Sequence, residues 1–366
     1  MSDSNPAAPA GDLPGLDLTR LADWLATTRP GFAAGALSGR LIAGGRSNLT
    51  YVVGDGVSEW ILRRPPLGHV LATAHDMGRE FRVMSALADT AVPVPRTYLL
   101  CTDAEILGAP FYLMENVAGV PYRAPAELEA VGPERTRVIA EGMVDALAEL
   151  HRVDPEAVGL GDFGRAKGFL ERQVRRWKKQ LDASYTRDLP AAEELHALLA
   201  AHQPEQSPDG IVHGDYRLDN VLVDAQDRVA AVVDWEMATI GDPLTDVALL
   251  VLYQRLGDLG VPGDMSSVPG YLTESETLDR YADRSGRDLG NLGFYLGLAA
   301  FKLAAILEGI HYRYLHGQTV GSGFDSIGDA VEPCCAPEST LCGRRIDDRR
   351  HPRRDIAMTW EVSAHL

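Results

Sequence analysis

The stretch His213-Gly214-Asp215-Tyr216-Arg217-Leu218-Asp219-Asn220 places a carboxylate at 215 and a carboxamide five positions later in a polar segment. Two short apolar runs follow, Val221 to Val223 and Val229 to Val233, separated by Ala225-Gln226-Asp227-Arg228, and the second run ends in Asp234. That pattern predicts a small β-hairpin behind a polar loop. Because a hairpin returns the chain to its start, Asp215, Asn220 and Asp234 can gather around one point. Two carboxylates and one carboxamide there offer oxygen ligands for Mg²⁺ and leave one carboxylate to act as a base.

His-Gly-Asp followed by Asn five positions after the Asp, and then by a strand-borne Asp, resembles the catalytic core of the aminoglycoside phosphotransferase family, small-molecule relatives of the protein kinases. The resemblance implies an α+β, protein-kinase-like two-lobe fold with a small β-rich N-lobe and a larger helical C-lobe. It also implies ATP- and Mg²⁺-dependent transfer of a phosphoryl group to a hydroxyl of a small molecule. In that frame Asp215 takes the hydroxyl proton and Arg217 meets the charge of the transferring phosphoryl, while Asn220 and Asp234 hold the metal. His213 and Asp246 hold the loop without titrating, and Asp242 or Thr245 caps the helix that follows. Only residues 235–241 separate Asp234 from Asp242, too few for a protein-kinase activation loop, which favours a small acceptor.

The elements that position these groups lie on both sides. Leu41 to Val53 reads as strand, turn, strand, and its Gly44, Gly45 and Ser47 sit where the resembled fold covers the ATP phosphates. Trp60 to Pro65 is the next strand. The family carries a phosphate-holding Lys there, yet no Lys precedes Lys167, so the role passes to Arg63, which strand alternation sets on the face opposite Arg64, with Glu80 on the following helix as its partner. A guanidinium is a wide planar fork and does not simply replace an ammonium. Phe111 to Gly119 corresponds to the hinge, where Glu115 and Val117 meet adenine through their backbone and Met114 closes the pocket. Further on, His151 closes a helix where a cation suits the C-terminal dipole, and it is read as structural. Arg172, Arg175, Arg176, Lys178 and Lys179 form a basic belt on a helix from about 169 to 181.

Composition sets the bounds. A chain of 366 residues, 45% hydrophobic and 24% charged, is globular and large enough for two lobes. Its boundaries are read as an extension with a short helix at 1–34, the N-lobe at 35–116, the C-lobe at 117–332 and a disordered, Arg- and Cys-rich tail at 333–366. A net charge of −17 argues against nucleic acid or an anionic membrane as the main partner. No apolar run is taken to reach a membrane span, no secretory leader is evident, and four cysteines without a disulfide framework fit a reducing cytoplasm. Oligomeric state is not encoded legibly.

Arg-Arg-Pro-Pro at 63–66, Glu-Arg-Gln-Val-Arg-Arg-Trp at 171–177 and the 213–220 motif look most like the branch of the family associated with acyl-CoA dehydrogenases. That likeness implies a hydroxyacyl or CoA-linked, anionic acceptor. An aminoglycoside is the alternative, and a nucleotide-binding pseudokinase without turnover is the other, prompted by the missing Lys.

Overall fold

The computed structural model describes residues 13–42, 48–67, 76–256, 265–319 and 324–336. Helix α1 (Leu18–Thr28) starts at Asp17, whose carboxylate accepts the N–H groups of Thr19 and Arg20. It buries Leu21 and Leu25 and sets Trp24 edge-on to Phe111, with ring centres 5.0 Å apart. The Pro/Ala/Gly-rich composition of residues 1–15 predicts disorder, yet Pro14 and Gly15 dock on the sheet, their carbonyls accepting from the Tyr51 hydroxyl and the Arg64 guanidinium, and Leu16 is buried.

The first lobe is one antiparallel sheet of β1 (Ser38–Leu41), β2 (Leu49–Gly54), β3 (Glu59–Arg64), β4 (Thr97–Cys101) and β5 (Phe111–Glu115), in the order β1-β2-β3-β5-β4. Helix α2 (Met77–Leu87) intervenes between β3 and β4, and the single turn α3 (Ala104–Leu107) between β4 and β5. Alternation along each strand sorts the side chains into two layers. Tyr51, Val53, Trp60 and Leu62 pack under α1, whereas Val52, Ile61, Tyr112 and Met114 join α2 and the core of the second lobe. Arg63 therefore faces α2, and Arg64 turns the other way to the carbonyls of Gly15 and Leu107.

The second lobe runs α4 (Pro125–Val131), α5 (Pro133–Arg152), α6 (Phe169–Asp182), α7 (Pro190–Ala201), β6 (Gly210–Val212), β7 (Val221–Val223), β8 (Val229–Val232), β9 (Thr239–Gly241), α8 (Leu244–Leu256), α9 (Glu274–Ser285), α10 (Leu292–Leu315) and α11 (Val331–Cys335). Its strands form two antiparallel ribbons, β6 with β9 and β7 with β8. Backbone bonds between Val120 and Val223 tie the inter-lobe crossing to the second ribbon, and the Val232 N–H donates to Pro93 across the lobes at 2.8 Å.

Two expectations from sequence change here. Helix α10, 24 residues, is long and apolar enough to cross a membrane, contrary to the reading that no run was. In the fold most of that apolar surface is buried against other helices of the lobe, which is what an all-round apolar helix in a large core looks like. The boundary at 332/333 is also too early. Cys334 and Cys335 are completely buried in the main core on α11, so the packed chain continues through the start of the segment read as tail.

Candidate active site

The hairpin forms with Val221 opposite Val232, which delivers Asp234 to the mouth of the 213–220 loop. Two further bonds stitch the loop to the strand end. The Val233 N–H donates to the Asn220 carbonyl at 2.9 Å, and the Val233 carbonyl lies 3.0 Å from His213 Nε2. With Nε2 donating, His213 Nδ1 is left to accept the Asp215 N–H at 3.3 Å, so a neutral ring satisfies both contacts. Gly214 has φ +86°, and a Cβ there would lie 2.8 Å from Met237, so only glycine fits. Asp234 is itself left-handed at φ +68°, a conformation that Asp and Asn tolerate better than other side chains.

Asp246, on the first turn of α8, holds this loop from beneath. Its carboxylate accepts the N–H groups of His213 and Gly214 at 2.6 and 2.8 Å and faces His151 Nε2 at 3.3 Å. Asp242 carries out the capping, accepting the Leu244 N–H at 3.1 Å, the Tyr295 hydroxyl at 2.7 Å and two bonds from Ser207. His151 has the structural role read for it, though not as a cation facing water at the helix end. It is buried instead, bonded to the Tyr281 hydroxyl at 2.7 Å, and burial lowers its pKa.

That burial has a pH signature. A histidine whose folded pKa lies below the ordinary value refuses a proton that the unfolded chain accepts, so its contribution is present above the ordinary histidine pKa and lost as pH falls below it. The pKa of Asp246 is also lowered: although burial opposes its charge, His151 and the loop N–H groups prevail, so its own contribution is lost only at more acid pH. The His151 contribution to the melting temperature should fall between about pH 7.5 and pH 5.5, while Glu80, raised to about 7, works in the opposite direction in both proteins and cancels from their comparison. His151→Gln should melt lower at the upper pH but lose less across the interval. Parallel losses in the two proteins, followed by circular dichroism, would assign the acid sensitivity to other groups.

Asp215 is braced at both oxygens. Asn220 Nδ2 donates to its carbonyl at 2.9 Å and to Oδ2 at 3.2 Å, and the Tyr253 hydroxyl donates to Oδ1 at 3.3 Å. With its NH₂ turned inward, Asn220 keeps its own Oδ1 for a cation. Arg217 pairs with Asp219 in the same loop and lies 5.7 Å from the centre of the Tyr253 ring.

On the N-lobe side, Arg63 reaches Glu80 at 3.0 Å and Asp234 through an ion pair, with Glu236 at 3.9 Å. Glu80 is 1% exposed, accepting from the Tyr112 hydroxyl at 2.9 Å and from Asn48 at 3.3 Å. Burial pushes its carboxyl up to about 7 against the pull of Arg63. For Arg63, burial opposes the charge, but Tyr112, Glu80, Asp234 and Glu236 more than restore it. Asn48 also donates to Glu236 at 2.9 Å, closing a second link between the lobes. Met114 is buried on β5, Glu115 is exposed at its end, and Val117 lies in the crossing to the second lobe. Gly44, Gly45 and Ser47 lie outside the described residues.

A hard cation fits the oxygen atoms gathered here. Asp234 already sits against a positive guanidinium, Asn220 has a carbonyl oxygen to offer, and no soft ligand intrudes. Among the described residues, here included, no group of three or more His, Cys, Asp or Glu side chains forms a metal-holding cluster, so a cation here would rest on Asp234 and the Asn220 carboxamide.

Sequence reasoning assigned no role to Asn48, Glu236, Tyr253 or Lys302. Lys302 donates to the Gly214 carbonyl at 2.8 Å from the largely apolar α10. It carried a signal: it is one of four lysines, alone in the most apolar helix. The basic belt on α6 also divides. Arg175 pairs with Glu171, and Lys178 with Asp182 and Glu193, whereas Arg172 and Arg176 line a cavity beside Gly214.

A family profile described as phosphotransferase enzyme family matches residues 38–287. Acyl-CoA dehydrogenase family member 10 of Mus musculus is 37% identical over 300 residues, covering 79% of this chain and 28% of that protein. The chain spans less than half the length of the curated relatives it matches. A solved aminoglycoside-phosphotransferase-like protein from Ralstonia eutropha JMP134 superposes with a TM-score of 0.77 at 34% identity, covering 87% of this chain and 96% of the other. A thermostable mutant of aminoglycoside phosphotransferase APH(4)-Ia, solved with AMP-PNP and hygromycin B, shares the fold at a TM-score of 0.57 and 17% identity, over 87% of this chain and 96% of that one. The architecture is the protein-kinase-like fold that the resemblance implied.

Proposed function

The chain belongs to the phosphotransferase enzyme family, and from that premise we propose that it transfers the γ-phosphoryl of ATP, with Mg²⁺, to a hydroxyl of a small hydroxyacyl or CoA-linked acceptor. The observation that carries this reading is the stitching of Asn220 and His213 to Val233, which sets Asp215, Asn220 and Asp234 at one mouth between the lobes. ATP is supported by the AMP-PNP held in a structure of the same fold, and the acyl acceptor by the name of the mouse relative.

Asn220 and Asp234 would hold Mg²⁺, which when bound neutralises phosphate charge. Asp215 receives the acceptor proton: each carboxylate oxygen has one neutral donor, which fixes its orientation and leaves room for an incoming hydroxyl. Arg63, anchored on Glu80, presents its fork where phosphates must lie, and Arg217 supplies a second cation from the catalytic loop. Positioning and fixed charge then carry most of the rate.

Arg63 also favours a second reading, a nucleotide-binding protein without turnover, because its ion pair with Asp234 engages a carboxylate needed for metal. Titration calorimetry with MgATP, followed by turnover assays with 3-hydroxybutyryl-CoA and kanamycin, separates the two. We expect Mg²⁺-dependent binding and turnover with the thioester but not with kanamycin. MgATP binding with no turnover on any hydroxyl favours the second reading, and absence of MgATP binding overturns both.

A further inference from the structure

A cavity of about 660 Å³ opens between α6 and α10 and reaches the catalytic loop at Gly214. Its walls are partly apolar, with Phe169, Trp177 and Leu298, and its charged groups are unevenly matched. Lys302 lies 5.5 Å and Arg176 5.3 Å from the centre of the Trp177 ring, so one indole carries two cations. Lys302 spends a hydrogen bond on the Gly214 carbonyl, and Arg172 donates to the carbonyls of Arg165 and Lys167. Among the described residues none of these three cations pairs with a carboxylate. The carboxylates that line the same cavity are committed elsewhere: Asp162 to Arg82, Asp246 to the loop N–H groups, and Glu236 to Asn48. Burial lowers the Lys302 pKa, against the opposing pull of Asp215 and Asp246. In a chain of net charge −17, a partly apolar cavity lined by Arg79, Arg165, Arg172, Arg176 and Lys302 against three carboxylates is a local reversal of the field.

We infer that this cavity binds an anionic group of the acceptor, a carboxylate or a phosphate on an apolar stem, gripped by Arg172, Arg176 and Lys302 while its hydroxyl lies at Asp215. That the bound anion is the acceptor rests on the phosphotransfer proposal; that the cavity selects anions does not. Lys302 is then a specificity-determining residue that couples the anion to the loop through Gly214, and the apolar wall takes the stem.

The test is calorimetry without nucleotide, using three eight-carbon probes: 3-hydroxyoctanoate, octyl phosphate and neutral octane-1,3-diol. At least one anion should bind ~10-fold or more tighter than the diol, and Arg176→Ala and Lys302→Gln should each weaken it by ~10-fold or more, the scale of one hydrogen bond to a charged group. The diol should be unaffected. A preference for octyl phosphate marks a phosphate-bearing acceptor, and one for hydroxyoctanoate a free acid. Arg176 is exposed, so its variant keeps the test valid where Lys302→Gln disturbs the loop. Equal binding of all three probes, no binding of either anion, or anion affinity untouched in folded Arg176→Ala overturns the inference. MgATP titrated into the same protein separates the two proposals. Its failure would sink phosphotransfer and leave the anion result standing, whereas normal MgATP binding without anion preference would sink the cavity alone.

Discussion

Asp215→Asn should lower turnover by ~10²–10⁴-fold, the usual worth of a general base. Asparagine keeps the size; its oxygen can accept from Asn220 while its NH₂ donates to the Tyr253 hydroxyl, which rotates to accept, so the loop has no geometric reason to move. What disappears is the proton acceptor. MgATP affinity should therefore be unchanged while turnover of the acceptor collapses, a split that steady-state kinetics beside calorimetry reads directly. Tyr253→Phe is the graded companion, because it removes one donor to Asp215 and leaves the carboxylate. Wild-type turnover in Asp215→Asn would end the assignment of that residue as the base.

Asp234→Asn should cost more, ~10³-fold or beyond, since several kcal/mol of phosphoryl-charge stabilisation depend on the metal it would hold. Asparagine is preferred to alanine because the position is left-handed at φ +68°, where a short polar side chain is tolerated and an alanine adds strain. The Asn48–Glu236 and Val232–Pro93 bonds still tie the lobes when Asp234 loses its charge, so the interface should survive and the melting temperature should change little. The decisive measurement is Mg²⁺ dependence. Wild type should saturate with Mg²⁺ in both ATP binding and turnover, and the variant should show neither. A variant that binds MgATP as tightly as wild type would move the metal away from Asp234.

Glu80 and Arg63 illustrate how far sequence reasoning reaches in the N-lobe. Strand alternation placed Arg63 and Arg64 on opposite faces, and the family resemblance named Glu80; the structure brings Arg63 and Glu80 to 3.0 Å. Neither route indicated that Arg63 would also reach Asp234, because that pair depends on how the lobes close. For His151 and the α6 belt the surroundings were open for a related reason. A histidine at a helix end and a row of basic residues read alike whether they face water or a packed neighbour. Only packing decided that His151 is buried between Asp246 and Tyr281, and that Arg172 and Arg176 face the cavity while Arg175 and Lys178 find acidic partners.

By itself the sequence determined the catalytic loop, the hairpin and the family, because these rest on residue types within about twenty positions of one another, where chain connectivity and strand alternation leave little freedom. The tertiary structure alone decided which distant groups complete them. Tyr253 meets Asp215 across 38 positions, Lys302 meets Gly214 across 88, and Asn48 meets Glu236 across 188. Contacts at such separations are set by how helices pack within the second lobe and how the lobes meet, and no local pattern in the chain encodes them.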